Sequence, residues 1–93
     1  MLHDQHRLRD AVDRGELQLA YQPLVDPNTN EVKCFEALLR WHDEDEGDIS
    51  PSQFIPVAEN DDLIIRIGEM ALKQACMDAL SWPDTIRVAV NVS

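Results

Sequence analysis

Three polar residues of this sequence have side chains suited to phosphate and metal chemistry: Glu36, Arg40 and Asn91. The Glu36 carboxylate and the Asn91 amide oxygen are hard ligands of the kind that Mg²⁺, Mn²⁺ or Ca²⁺ accept in proteins. The Arg40 guanidinium is a planar fork that matches a phosphate group. The combination indicates a site where a cation and an arginine together hold an anionic phosphate ligand.

Two predicted strands would place these three residues. From residue 35 to residue 41 every second residue is apolar, so Glu36 and Arg40 share the opposite face. Residues 86–92 alternate in the same way and place Asn91 late on the face opposite the valines. Ligands bind at the carboxyl ends of parallel strands in barrels and open α/β sheets. In the alternative, Glu36 and Arg40 form an ion pair on a solvated face and Asn91 begins a turn; the pattern is compatible with both.

The order of elements predicts how the strands pair. The short turn at residues 26–30 predicts an antiparallel hairpin, whereas the helical segment before the last strand predicts a parallel crossover. Ser50 and Pro51 predict a helix start, and Pro56 is expected to restart that helix after one turn. The predicted order is helix 3–14, strand 17–25, strand 32–41, acidic loop 42–48, a helix from 51, helix 62–81 and strand 86–92.

Composition limits the class of protein. The sequence has 93 residues, with 8 Lys and Arg against 18 Asp and Glu, so its formal net charge is −10. This acidic balance argues against binding of DNA or RNA polymers, because phosphate backbones require Lys and Arg. No apolar run approaches the roughly 20 residues that span a bilayer, and the polar N-terminus lacks a signal-peptide core. We therefore expect a cytoplasmic chain, whose parent protein is free to reach a membrane through other domains.

Several other features predict structure rather than chemistry. Cys34 and Cys76 lack metal-ligand spacing and are expected to be small buried residues in a reducing compartment. Met70 and Met77 are expected to pack in the core, and His42 is expected at the rim of the strand-end site without a catalytic role. The acidic loop does not fit the calcium-loop spacing and is expected to be solvated.

Five ordered segments of the sequence resemble one known family. They are YQPLVD at 21–26, EALLRW at 36–41, ISP at 49–51, FIPVAE at 54–59 and NVS at 91–93. Together they are similar to the EAL-domain family of bacterial cyclic di-GMP phosphodiesterases. The resemblance implies an α/β fold, the N-terminal portion of a modified TIM-type (β/α)8 barrel whose first strand is antiparallel. A whole TIM barrel takes roughly 250 residues, so residues 1–93 are expected to be a partial domain that ends within a strand.

The resemblance also implies roles for individual residues. Glu36 and Asn91 correspond to metal ligands, Arg40 to the arginine that holds a phosphate, and Leu38 and Gln22 to residues at the substrate. The implied reaction hydrolyses cyclic di-GMP to linear pGpG with Mg²⁺ or Mn²⁺. The family's further ligands lie beyond the sequence, so we expect this chain by itself to be inactive. The alternatives are a module that senses cyclic di-GMP or binds a protein without cleavage, and a small acidic protein that self-associates; flanking signalling domains are also expected in the parent.

Overall fold

The computed structural model describes residues 5–91 and contains helices on one side of a mixed sheet. Helix α1 spans Gln5–Asp13, α2 spans Pro51–Glu59 and α3 spans Leu63–Ala79; the strands are β1 Leu17–Val25, β2 Val32–Asp43, β3 Gly47–Ile49 and β4 Arg87–Val90. The predicted elements are therefore confirmed within this range, with one additional strand. The predictions at Val92 and Ser93 lie outside the described residues.

Strand β2 is the centre of the sheet. It pairs with β1 in antiparallel register along one side, with Gln18 opposite Arg40 and Gln22 opposite Glu36. On its other side the first half pairs in parallel with β4, where Glu36 lies opposite Ala89. Both the predicted hairpin and the predicted parallel crossover are confirmed.

A compact turn closes the β1–β2 hairpin. The Asn28 backbone N–H donates to the Asp26 carboxylate, and the Asn30 N–H donates to the Asp26 carbonyl, each at 2.8 Å. Asn30 has φ 58°, a left-handed conformation that asparagine tolerates better than most residues. The turn fixes the hairpin register, which in turn decides which residues of β1 lie beside Glu36 and Arg40.

The hydrophobic core lies between the helices and one face of the sheet. In α3 the buried residues recur every four positions at Leu63, Ile67, Ala71 and Ala75, the spacing of a single helix face. The core residues with at most 5% exposure include Leu8, Leu17, Leu39, Trp41, Ile49, Phe54 and Ala58. Because the helices cover this face only, the opposite sheet face carries the polar side chains.

The acidic loop prediction was wrong in part. Strand β2 continues to Asp43, and β3 pairs back onto it, with His42 opposite Asp48 and Asp43 opposite Gly47. Gly47 has φ 77°, which lets the chain reverse direction tightly. Asp43 is 1% exposed rather than solvated, because its carboxylate has hydrogen-bond donors inside the fold.

Two expectations about the helices also need correction. Pro56 lies inside α2 and does not restart the helix. Because proline has no backbone N–H, the carbonyl of Ser52, four residues earlier, lacks its helical hydrogen bond. Ser52 is exposed, so water can hydrate this carbonyl. Cys76 and Met77 are exposed, the latter by 56%, because they lie off the helix face that packs on the sheet. Cys34 is half-buried and Met70 packs against the core.

Candidate functional site

One face of the sheet carries four of the predicted site residues. Glu36, Leu38 and Arg40 alternate with core residues along β2 and therefore point to the same side. Gln22 lies directly opposite Glu36 in the hairpin register, so it shares that face. Glu36 and Leu38 are half-buried, whereas Gln22 and Arg40 are exposed.

Asn91 reaches the same region from the neighbouring strand. It follows β4 directly and lies two positions beyond Ala89, the parallel partner of Glu36. Strand alternation puts Asn91 on the face of Ala89, and its backbone lies level with the stretch of β2 that carries Leu38. Asn91 is exposed. The fold thus places the Asn91 and Glu36 positions on adjacent parallel strands.

Arg40 keeps its charge available for a ligand. One guanidinium nitrogen, Nη1, donates to the Leu39 carbonyl at 3.0 Å. Within residues 5–91 no carboxylate lies within ion-pair distance of Arg40, so the surface ion pair with Glu36 does not form. An exposed guanidinium without an acidic partner is suited to binding an anion.

A cavity of about 460 Å³ lies beside Arg40 at the end of β2, and we call it the strand-end cavity. Its lining combines the start of β1 with the end of β2 and the following turn: Glu16, Gln18, Arg40, His42 and Glu44. Sequence reasoning missed Gln18 and Glu44. The signal for Gln18 was its spacing of four from Gln22 in a strand, which puts both on one face.

His42 occupies the rim of the site, as expected from the sequence. Its ring nitrogen Nδ1 lies 2.9 Å from a carboxylate oxygen of Asp48, its cross-strand neighbour on β3. The histidine is 72% exposed. His42 and Arg40 both line the strand-end cavity.

The donor set fits part of a cation site. Glu36 and Asn91 supply a carboxylate and an amide oxygen on adjacent strands, both suited to a hard divalent cation. Among residues 5–91, no three His, Cys, Asp or Glu side chains come together in an arrangement that would hold a metal ion. Mg²⁺ prefers six oxygen ligands, so these two residues could supply at most two of them.

The family assignment rests on a match along nearly the whole sequence. Residues 5–93 match the family model described as EAL domain. The chain belongs to the EAL domain family. The structure also resembles the PaMucR phosphodiesterase in complex with c-di-GMP, with a TM-score of 0.85 and 40% identity over 95% of this chain and 37% of that one.

The sequence relatives of this EAL domain are much longer than the chain. The chain is 48% identical over 86 residues to the uncharacterized protein y4lL of Sinorhizobium fredii, covering 92% of this chain and 10% of that protein. It is 42% identical over 97 residues to MucR of Pseudomonas aeruginosa, a bifunctional diguanylate cyclase/cyclic di-GMP phosphodiesterase, covering 100% of this chain and 14% of MucR. The chain therefore spans a small part of these relatives.

The solved EAL domains confirm the predicted fold class. The chain is α/β and corresponds to the N-terminal portion of their TIM-type barrel, with β1 antiparallel to β2. The FimX EAL domain of Pseudomonas aeruginosa, 19% identical, shares the fold with a TM-score of 0.78 over 92% of this chain and 35% of that one. Among residues 5–91, no helix of this EAL domain is long and apolar enough to cross a membrane.

Proposed function

We propose that this EAL domain segment forms one side of the active site of a metal-dependent cyclic di-GMP phosphodiesterase. The observation that supports this best is the shared sheet face of Gln22, Glu36 and Arg40, with Asn91 on the next parallel strand. This face offers an anion-binding guanidinium and two oxygen ligands within one patch. The same arrangement fits the phosphodiester group of a cyclic dinucleotide.

Arg40 binds a phosphate of the dinucleotide in this proposal. Its guanidinium can donate two parallel hydrogen bonds to phosphate oxygens. These bonds orient the ligand, and the positive charge of the guanidinium attracts the negative phosphate. Leu38, half-buried next to Arg40 on the same face, provides an apolar wall for the ligand. Gln22 provides an amide beside Glu36 that can donate to or accept from the dinucleotide.

Glu36 and Asn91 hold one side of an Mg²⁺ or Mn²⁺ ion. When bound, such an ion lowers the pKa of a coordinated water and offsets charge on the phosphate oxygens. Hydrolysis forms a bond between the water oxygen and phosphorus and breaks one bond from phosphorus to a ribose oxygen, which takes up a proton. The product is linear pGpG.

The chain by itself is proposed to be inactive. Two oxygen ligands leave most of a six-ligand sphere to water, and each lost protein ligand weakens metal binding. With a formal net charge of −10, the chain also repels an anionic dinucleotide unless a cation is held firmly.

A chimera tests this proposal. Residues 5–93 would replace the corresponding segment of the MucR phosphodiesterase, which supplies the rest of a barrel. We expect the chimera to convert cyclic di-GMP to pGpG in the presence of Mg²⁺ or Mn²⁺, measured by chromatography. The 93-residue chain by itself should give no product.

The second candidate is a module that binds cyclic di-GMP without cleaving it. The absence of a three-residue metal cluster within residues 5–91 favours it for the chain by itself. A chimera that folds and binds the dinucleotide but produces no pGpG would support this second function. A folded chimera that neither binds nor cleaves would contradict both.

A further inference from the structure

Helix α3 carries apolar side chains on the side that faces away from the sheet. Ile65, Leu72 and Cys76 recur at spacings of seven and four residues, and Leu80 follows four residues later at the end of the helix. These spacings place all four residues on one face, which we call the outer stripe. Ile65, Leu72 and Leu80 are 58%, 55% and 86% exposed, and Cys76 is also exposed. The fold therefore leaves a second apolar face of α3 uncovered.

The outer stripe lies opposite the face of α3 that packs in the core. Ile65 is two positions from Leu63 and from Ile67, both of which are 0% exposed. Two residues turn an α-helix by about 200°, so a residue midway between two buried ones points in the opposite direction. The outer stripe therefore faces outward whatever extends the sheet at its edges.

We propose that the outer stripe is a self-association surface, on which α3 packs antiparallel to α3 of a second copy of this chain. Apolar side chains repeated at spacings of four and seven along an exposed helix face are typical of helix–helix interfaces. The inference does not depend on the proposed catalytic function, since the helices and the face of Glu36 and Arg40 lie on opposite sides of the sheet.

The local charge of α3 permits contact between two copies of an acidic chain. The chain has a formal net charge of −10, so two copies repel each other on average. Within α3, however, the cations Arg66 and Lys73 balance the anions Glu69 and Asp78. Two copies that meet through α3 therefore bring together helices that are each locally neutral.

Glu69 and Lys73 give this surface a self-complementary charge pattern. Both side chains are exposed beside the outer stripe, and within residues 5–91 neither forms an ion pair. An antiparallel pair of helices centred at the level of Ala71 places Glu69 of each copy level with Lys73 of the other. In a parallel pair identical residues are level, so Glu69 would meet Glu69. The charges therefore favour a second copy in antiparallel orientation.

Sedimentation equilibrium of the 93-residue chain over a range of concentrations tests this inference. One pair of helices buries less than the roughly 1,600 Å² of a standard interface, so we expect a weak dimer with a micromolar or higher Kd. Leu72→Glu should weaken dimerisation by about 10-fold or more, because it places a carboxylate within the apolar contact. Leu24→Glu, at a position on β1 that is 46% exposed, is the matched control and should leave the Kd unchanged.

Exchange of the two charges tests the antiparallel orientation. Glu69→Lys and Lys73→Glu should each weaken the dimer by about 3- to 10-fold at low ionic strength, because each brings like charges together. The double substitution should restore the original Kd. Glu59→Lys, at an exposed position on α2, changes the net charge as Glu69→Lys does and should not weaken the dimer.

Three results would overturn the inference. The first is a chain that stays monomeric at millimolar concentration, which would leave the outer stripe to a different partner protein. The second is an equal effect of Leu72→Glu and Leu24→Glu, which would place the contact elsewhere. The third is a double substitution that fails to restore the dimer.

Discussion

The Arg7 guanidinium donates a hydrogen bond to the buried carboxylate of Asp43, which lies 36 positions later in the sequence. The backbone N–H groups of Asp45 and Glu46 donate to the other oxygen of the same carboxylate at 3.0 Å each. Asp43 thus ties α1 to the end of β2 and closes the turn to β3.

Protonation of Asp43 in acid should weaken the contact between Arg7 and Asp43. Burial acts to raise the pKa of Asp43, but the hydrogen bond from Arg7 and those from the backbone N–H groups of Glu46 and Asp45 outweigh it. The folded-state pKa therefore lies below the ordinary value of 3.8. The stability contributed by this carboxylate is present above pH 3.8 and is lost as the pH falls through the folded-state pKa.

We predict that Asp43→Asn destabilises the chain at neutral pH and reduces the loss of stability on acidification. Urea denaturation at pH 7 and at a pH well below 4 measures both effects. The second pH is chosen because the stability contributed by Asp43 falls only below the ordinary pKa of 3.8. Asp45→Asn is the matched control, because Asp45 is 80% exposed and lies 3.8 Å from Arg7. Equal acid sensitivity of Asp43→Asn and the unsubstituted chain would contradict the prediction.

Tyr21 should titrate unusually late. Burial, followed by the hydrogen bond from its hydroxyl to Asp78, raises the pKa of Tyr21 to about 12 from 10.0. The sequence has one tyrosine, so the ultraviolet absorbance of phenolate reports this residue directly. Because the folded-state pKa is raised, the associated stability is present below pH 10.0 and is lost as the pH rises through about 12.

The substitution Asp78→Asn separates the two causes of the raised Tyr21 pKa, which are burial and the contact with Asp78. Removing the carboxylate should lower the pKa of Tyr21, while burial keeps it above 10.0. Circular dichroism at each pH shows whether the chain is still folded. Titration near 10.0 in the folded, unsubstituted chain would show that the contact with Asp78 does not form.

Local sequence patterns predicted the elements, whereas contacts between distant residues decided the exceptions. The alternation in β2 predicted which face carries Glu36 and Arg40, because side-chain direction in a strand follows from spacing alone. Asp43 lies in an acidic run typical of a solvated loop, and its burial depends on Arg7, far away in the sequence. No local pattern contains that information.

The same limit applies to the helices and the candidate site. In α3 the apolar residues Ile65 and Leu72 are 58% and 55% exposed, although apolar residues of a helix usually favour burial. Which apolar residues of the helix are buried depends on the sheet beneath it, and only one face of α3 packs against the rest of the fold. The strand-end cavity was missed for a related reason, since it joins residues from before β1 to residues after β2.

The aromatic contact between Phe54 and Trp41 should be a main source of stability. Phe54 is 0% exposed, and its ring centre lies 5.7 Å from that of Trp41 in an edge-to-face arrangement. We predict that Phe54→Ala lowers the free energy of unfolding by about 3–5 kcal/mol, measured by denaturant titration. Leu80→Ala, at an exposed position, should change it by no more than about 0.5 kcal/mol. Similar effects of the two substitutions would show that α2 does not pack as described.

Glu36 and Arg40 should affect different kinetic constants in the MucR chimera. Glu36→Gln removes a charged metal ligand, so we predict a fall in kcat on the order of 10²–10³-fold and a higher requirement for Mg²⁺. Arg40→Ala removes charge-assisted hydrogen bonds to phosphate, so KM should rise about 10- to 100-fold with a smaller change in kcat. Steady-state kinetics across a range of Mg²⁺ concentrations measures both effects. Glu31→Gln is the control, because the Glu31 carboxylate lies beside the hairpin turn, 2.8 Å from Lys33. An unchanged metal requirement in Glu36→Gln would remove Glu36 from the metal site, and an unchanged KM in Arg40→Ala would remove Arg40 from the phosphate site.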